Sequence, residues 1–60
     1  MEYNLPKDPV ILLSYVNTQL RDHYGSFEDM CTALNISGEE ITEKLSGLNY
    51  AYDTAVNQFI

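Results

Sequence analysis

Apolar residues recur at helical spacing through the first half of the chain. Leu12, Leu13, Val16, Leu20 and Tyr24 fall on one side of a 3.6-residue period, with Ser14, Asn17, Thr18, Arg21 and Asp22 on the other. The pattern predicts a helix that opens at Asp8-Pro9, where the aspartate can accept a free backbone N–H and the proline has none to lose, and that closes at Gly25. Ser26 then caps a second helix with the apolar stripe Phe27, Met30, Cys31 and Leu34, stopped by a left-handed Asn35 that turns Ile36 back onto the core. Ser37-Gly38-Glu39-Glu40 is a capping box opening a third helix, whose Ile41 and Leu45 face inward one turn apart and whose end is Gly47. After Gly47 the period changes to two: Leu48, Tyr50 and Tyr52 alternate with Asn49, Ala51 and Asp53, which predicts a strand. The turn formers of 53–57 and the segment Gln58-Phe59-Ile60 complete a C-terminal hairpin.

The expected fold is therefore mainly α: a three-helix, helix-turn-helix-like domain, a minimal winged helix, with a short C-terminal β-hairpin. One domain spans 1–60, with an extended arm at 1–7, the helices at 8–47 and the hairpin at 48–60. A chain of 60 residues buries only about 60% of the surface it exposes when unfolded, so its core is thin.

Charge narrows the range of partners. Nine acidic residues against Lys7, Arg21 and Lys44 give a net charge of −6. That field keeps a small domain soluble, repels nucleic acids and anionic lipid surfaces, and attracts basic protein surfaces. A single cysteine rules out a disulfide within the chain and favours a reducing, cytoplasmic setting. The N-terminal segment has no export-signal pattern, and Val10–Leu13 is far too short an apolar run to cross a bilayer. With hydrophobic residues at 45% and charged ones at 20%, the composition is that of a soluble folded domain.

The segments NLPKDPVILLSYVNTQLRD at 4–22, SFEDMCTALNIS at 26–37 and LNYAYDTAVNQF at 48–59 resemble the small bacterial family called domain of unknown function 4250. The resemblance covers nearly the whole chain. It implies a free-standing, single-domain cytoplasmic bacterial protein, and it supplies no catalytic or binding residue to carry over. Residues 26–45 also resemble the general helix-turn-helix unit, with Ile36 and Ile41 at its apolar positions. Cys31 stands at the usual small position, Asn35 in place of the turn glycine, and Lys44 at a position normally apolar.

The candidate chemistry is sparse. His23 ends the first helix, where an imidazolium suits the helix dipole. Cys31 sits on an apolar stripe with no basic neighbour to activate it, so it reads as a core thiol. One His and one Cys make no structural zinc site, and Gly25, Gly38 and Gly47 fall at helix ends instead of in a phosphate-cradling run. These features predict no enzyme, no metal and no cofactor. Helix-turn-helix proteins neutralise about 6 to 10 phosphates, whereas this chain has three basic side chains and only Lys44 lies on the reading helix, so no nucleic-acid partner is expected.

Five tyrosines remain to be placed. Some cover the core, and the others suit a half-buried association surface. The candidate interaction residues are Tyr3 and Leu5 on the arm with Tyr50, Tyr52 and Phe59 on the hairpin. The expected function is a non-enzymatic cytoplasmic protein-interaction or regulatory module, with a protein partner or a second copy and no membrane association. The alternative is a DNA-associated helix-turn-helix regulator.

Overall fold

Asp8 and Pro9 open the first element. In the computed structural model, which describes residues 5–60, the Asp8 carboxylate accepts the backbone N–H of Val10 at 2.8 Å and that of Ile11 at 3.4 Å. Helix α1 (Pro9–Asp22) follows. Ser26 Oγ accepts the Asp29 N–H at 3.0 Å and starts helix α2 (Phe27–Leu34). Ser37 Oγ accepts the Glu40 N–H at 3.3 Å and starts helix α3 (Gly38–Ser46). Strands β1 (Tyr52–Asp53) and β2 (Gln58–Phe59) then pair antiparallel, with Tyr52 opposite Phe59 and Asp53 opposite Gln58. Three helices and a short C-terminal hairpin are what the hydrophobic pattern predicts.

The helix ends show how far the local signals reach. At the end of α2 the Asn35 N–H bonds Thr32 O and the Ile36 N–H bonds Cys31 O, with Asn35 left-handed at φ 54°. This is a Schellman closure, as expected from Asn35. The end of α3 differs from expectation. Gly47 has an ordinary right-handed φ of −61°, and the closure falls two residues later. There the Asn49 N–H bonds Ser46 O and the Tyr50 N–H bonds Leu45 O, with Asn49 at φ 65°. Leu48 and Asn49 are thereby consumed in ending a helix, so β1 begins at Tyr52 and not at Leu48. The period-two alternation over 48–50 belongs to a turn.

Helix α1 also stops short of Gly25. Its last turn is closed by the N–H groups of His23 and Tyr24, which both bond Gln19 O, and Tyr24 lies beyond the helix. No glycine among the described residues has a positive φ; the left-handed positions are Asn35, Asn49 and Asn57. Asparagine tolerates this conformation because its short amide can bond locally.

The core is Leu12, Val16 and Leu20 of α1, Met30 of α2, Ile41 and Leu45 of α3, and Phe59 of β2. The half-buried Leu5, Leu13, Tyr24, Phe27, Ile36 and Tyr52 pack around it. Gly38 lets α3 approach α2 closely, since a Cβ there would lie 3.2 Å from Cys31 Sγ and 3.3 Å from Phe27 Cε2.

Candidate interaction surface

The hairpin is too short to hold itself, with strands of two residues each. Ala51 and Ile60 exchange both backbone bonds at 3.0 Å, which makes the adjacent Tyr52–Phe59 pair the non-hydrogen-bonded kind, with Phe59 N–H and C=O turned away from β1. Asn17 of α1 takes both groups. Its Oδ1 accepts the Phe59 N–H at 2.8 Å, and its Nδ2 donates to Phe59 O at 3.1 Å. One side-chain amide thus stands in for a neighbouring strand.

A second amide ties the other end. Asn57 Nδ2 donates to Leu20 O at 3.0 Å and to Tyr24 O at 2.9 Å, satisfying carbonyls left open where α1 ends. Its Oδ1 accepts the Tyr52 hydroxyl at 2.6 Å, and that hydroxyl oxygen accepts the Phe27 N–H, a donor exposed by the start of α2, at 3.2 Å. The Asn57–Tyr52 pair therefore joins the C-terminus of α1, the N-terminus of α2 and the hairpin. This explains why α1 ends without a left-handed residue.

These bonds decide where the predicted interaction residues lie. Phe59 is fully buried, packed edge-on against Phe27 with ring centres 5.0 Å apart and planes at 85°, and it is not available to a partner. Tyr52 is half-buried against both rings at 5.5 Å, with its hydroxyl committed inward. Leu5 packs on the domain's own core. Tyr50 is exposed, and Tyr3 lies outside the described residues. Of the arm-and-hairpin patch, Leu5, Tyr52 and Phe59 are thus internal cover, because a thin core draws nearby apolar groups and rings inward. Cys31 is half-buried instead of fully enclosed, and its burial pushes the thiol above its usual range. His23 is exposed at the end of α1.

The apolar groups that do face solvent lie elsewhere. Val10 is 62% exposed, Ile11 58%, Val56 55% and Ile60 54%. Val10 leads the stripe Val10, Ser14, Asn17 and Arg21 along α1. The last three of these line one wall of an open cleft of about 500 Å³, whose other wall includes Val56 and Gln58 of the hairpin. Charge is segregated around this groove. On α1 and its cap, Lys7 and Arg21 balance Asp8 and Asp22, and the Arg21 and Asp22 side chains pair at 2.8 Å on the surface. That contact draws the Asp22 carboxyl below, and the Arg21 guanidinium above, its usual range. Helices α2 and α3 instead carry Glu28, Asp29, Glu39, Glu40 and Glu43 against Lys44. The outer face of α3 presents Glu39, Thr42, Glu43 and Ser46.

Neither Asn17 nor Asn57 stands out in the sequence as a fastening. Asn17 reads as a solvent-side polar residue and Asn57 as a turn former. A usable signal is present for Asn17, since a poor helix former sits at the margin of an apolar stripe, between Leu13 and Leu20.

Among the described residues no group of three or more His, Cys, Asp or Glu side chains is placed to hold a metal, and no helix is long and apolar enough to cross a membrane. The molecule is a small three-helix domain with a C-terminal hairpin. The chain belongs to the family described as domain of unknown function DUF4250, whose model matches residues 6–59. No curated protein and no solved structure matches it.

Proposed function

We propose that the protein is a small non-enzymatic interaction or regulatory module of the cytoplasm, built on a helix-turn-helix-like frame with the hairpin as a minimal wing. The observation that carries this reading is the exposure of Val10, Ile11 and Val56, each more than half exposed, with Val56 lining the cleft on α1 and Val10 and Ile11 at the N-terminal end of that same helix, whose charges and those of its cap balance. Isolated exposed apolar residues are ordinary, but exposed Val10 and Ile11 at one end of α1 and an apolar residue in the cleft at the other suit an association surface. The lone thiol and lone imidazole have no catalytic partner in this reading, and the groove is shallow and open where enzymes enclose their substrates.

The alternative, a DNA-associated regulator, draws on the order of α2 and α3 and on the hairpin that follows. The outward face of α3 carries Glu39 and Glu43 where a reading helix would meet phosphates, which opposes it. A low-salt titration with random and genomic duplexes decides between the two. The module reading expects no binding tighter than about 100 μM; micromolar binding with a steep salt dependence favours the alternative. The positive test is capture from a cell lysate with the tagged protein, read by mass spectrometry. The expected result is a protein partner, or the protein itself, that is lost with Val10→Glu.

A further inference from the structure

We infer that the occupant of the α1 groove is a second copy of this chain, seated antiparallel across a two-fold axis between Ser14 and Tyr15; this deepens the module reading and rests on it. Three observations converge. First, the face is self-complementary in shape. Val10 and Ile11 stand out at the N-terminal end of α1, while the cleft formed by Ser14, Thr18, Arg21 and Val56 lies toward its C-terminal end. An antiparallel pairing brings the projecting residues of each copy to the cleft of the other, the isologous arrangement of two-fold dimers.

Second, the charges match in that register and in no parallel one. With the axis between Ser14 and Tyr15, Lys7 faces Asp22 of the second copy and Asp8 faces its Arg21. Each end of the contact holds two cations and two anions. A parallel pairing sets Lys7 against Lys7 and Arg21 against Arg21, and opposes the two helix dipoles. Third, the remaining surface forbids the other choices. Helices α2 and α3 together carry five carboxylates against one lysine, so pairing through either brings net negative faces together, whereas pairing through α1 turns these acidic helices outward.

The contact is small. Helix α1 has 14 residues and is about 21 Å long, so a pair built on it stays below about 1,200 Å² of total buried area, the range of weak and reversible interfaces.

Sedimentation equilibrium over about 20 μM to 1 mM protein tests the assignment, since weak interfaces of this area associate only toward the top of such a range. The expected mass rises from the 6.8 kDa of one chain toward twice that value. Val10→Glu and Ile11→Glu place an acid in the first turn of α1, where the helix dipole favours it, so the fold persists by circular dichroism while self-association is lost. Lys7→Glu weakens the pair, and Lys7→Glu combined with Asp22→Lys restores it, because each copy then carries the reversed partner. A wild-type mass of one chain at the highest concentration overturns the proposal, whatever the lysate capture yields. So does a dimer that Val10→Glu and Ile11→Glu leave unchanged. The module reading stands or falls separately on the capture experiment.

Discussion

Replacing Asn57 by alanine removes two donated bonds, to Leu20 O and Tyr24 O, and one accepted bond, from the Tyr52 hydroxyl. At roughly 0.5 to 1.5 kcal/mol each, net of the bonds that water restores to the part-buried partners, the three contribute about 1.5 to 4.5 kcal/mol. Alanine must also adopt the left-handed φ of 52°, at a further cost of about 1 kcal/mol. The whole domain is stabilised by about 3 to 9 kcal/mol, taking 0.05 to 0.15 kcal/mol per residue over 60 residues. The substitution therefore removes a large share of the total. Asn57→Gly separates the two effects, because glycine loses the same bonds without the backbone strain, and it should be more stable than Asn57→Ala by about 1 kcal/mol. Urea denaturation followed by circular dichroism measures both. Tyr52→Phe, combined with each, gives a double-mutant cycle that isolates the hydroxyl-to-amide bond. If Asn57→Ala unfolds within about 0.5 kcal/mol of wild type, the amide does not join the three elements energetically, and the account of how α1 ends is wrong.

Three other outcomes follow from the same packing. Phe59→Ser empties the centre of the core and should unfold the domain, at a cost of at least about 3 kcal/mol, while Tyr50→Ser on the surface leaves the denaturation midpoint nearly unchanged. Both are read from denaturation curves. Cys31 should react with a thiol reagent more slowly in the folded protein than in urea, and folding should shift its pH–rate profile upward, because burial raises the thiol pKa and less thiolate is present at a given pH. Gly25→Ala should raise stability by about 0.4 to 1 kcal/mol, since Gly25 has no positive φ and a Cβ there meets nothing within 4 Å. Gly38→Ala crowds Cys31 and Phe27 and gains no such benefit; thermal melts compare the two.

The elements were legible in the sequence where the code is local. Asp8, Ser26 and Ser37 act through backbone groups two or three residues away, so their helix starts are written in adjacent positions, and the Asn35 stop is of the same kind. Where an end depends on a distant group, adjacent residues mislead. Helix α1 ends before Gly25 because Asn57, 37 residues after Leu20, accepts the role of cap. The apparent strand at Leu48 dissolves into a helix closure because Asn49 can turn left-handed after α3. The candidate surface was harder to read for a related reason. An aromatic on a period-two pattern suits a docking face and a core equally well, and only the rotation of β2 against Asn17 assigns Phe59 to the inside. Val10 and Ile11, by contrast, lie just ahead of the periodic apolar stripe of α1, and their exposure follows from helical geometry once Leu12, Val16 and Leu20 define the buried side.

The hydrogen-exchange rate of the Phe59 amide tests most directly the claim that side-chain amides fasten the hairpin into the core and remove its rings from the surface. An unfastened strand of two residues opens freely and exchanges near the rate of an unstructured loop. With its N–H held by Asn17 Oδ1 at 2.8 Å, the Phe59 amide should instead exchange with an opening free energy within about 1 kcal/mol of the slowest amides of α1. That protection should vanish in Asn17→Ala. A Phe59 amide in the wild-type protein that exchanges at loop rates, while α1 remains protected, contradicts the account.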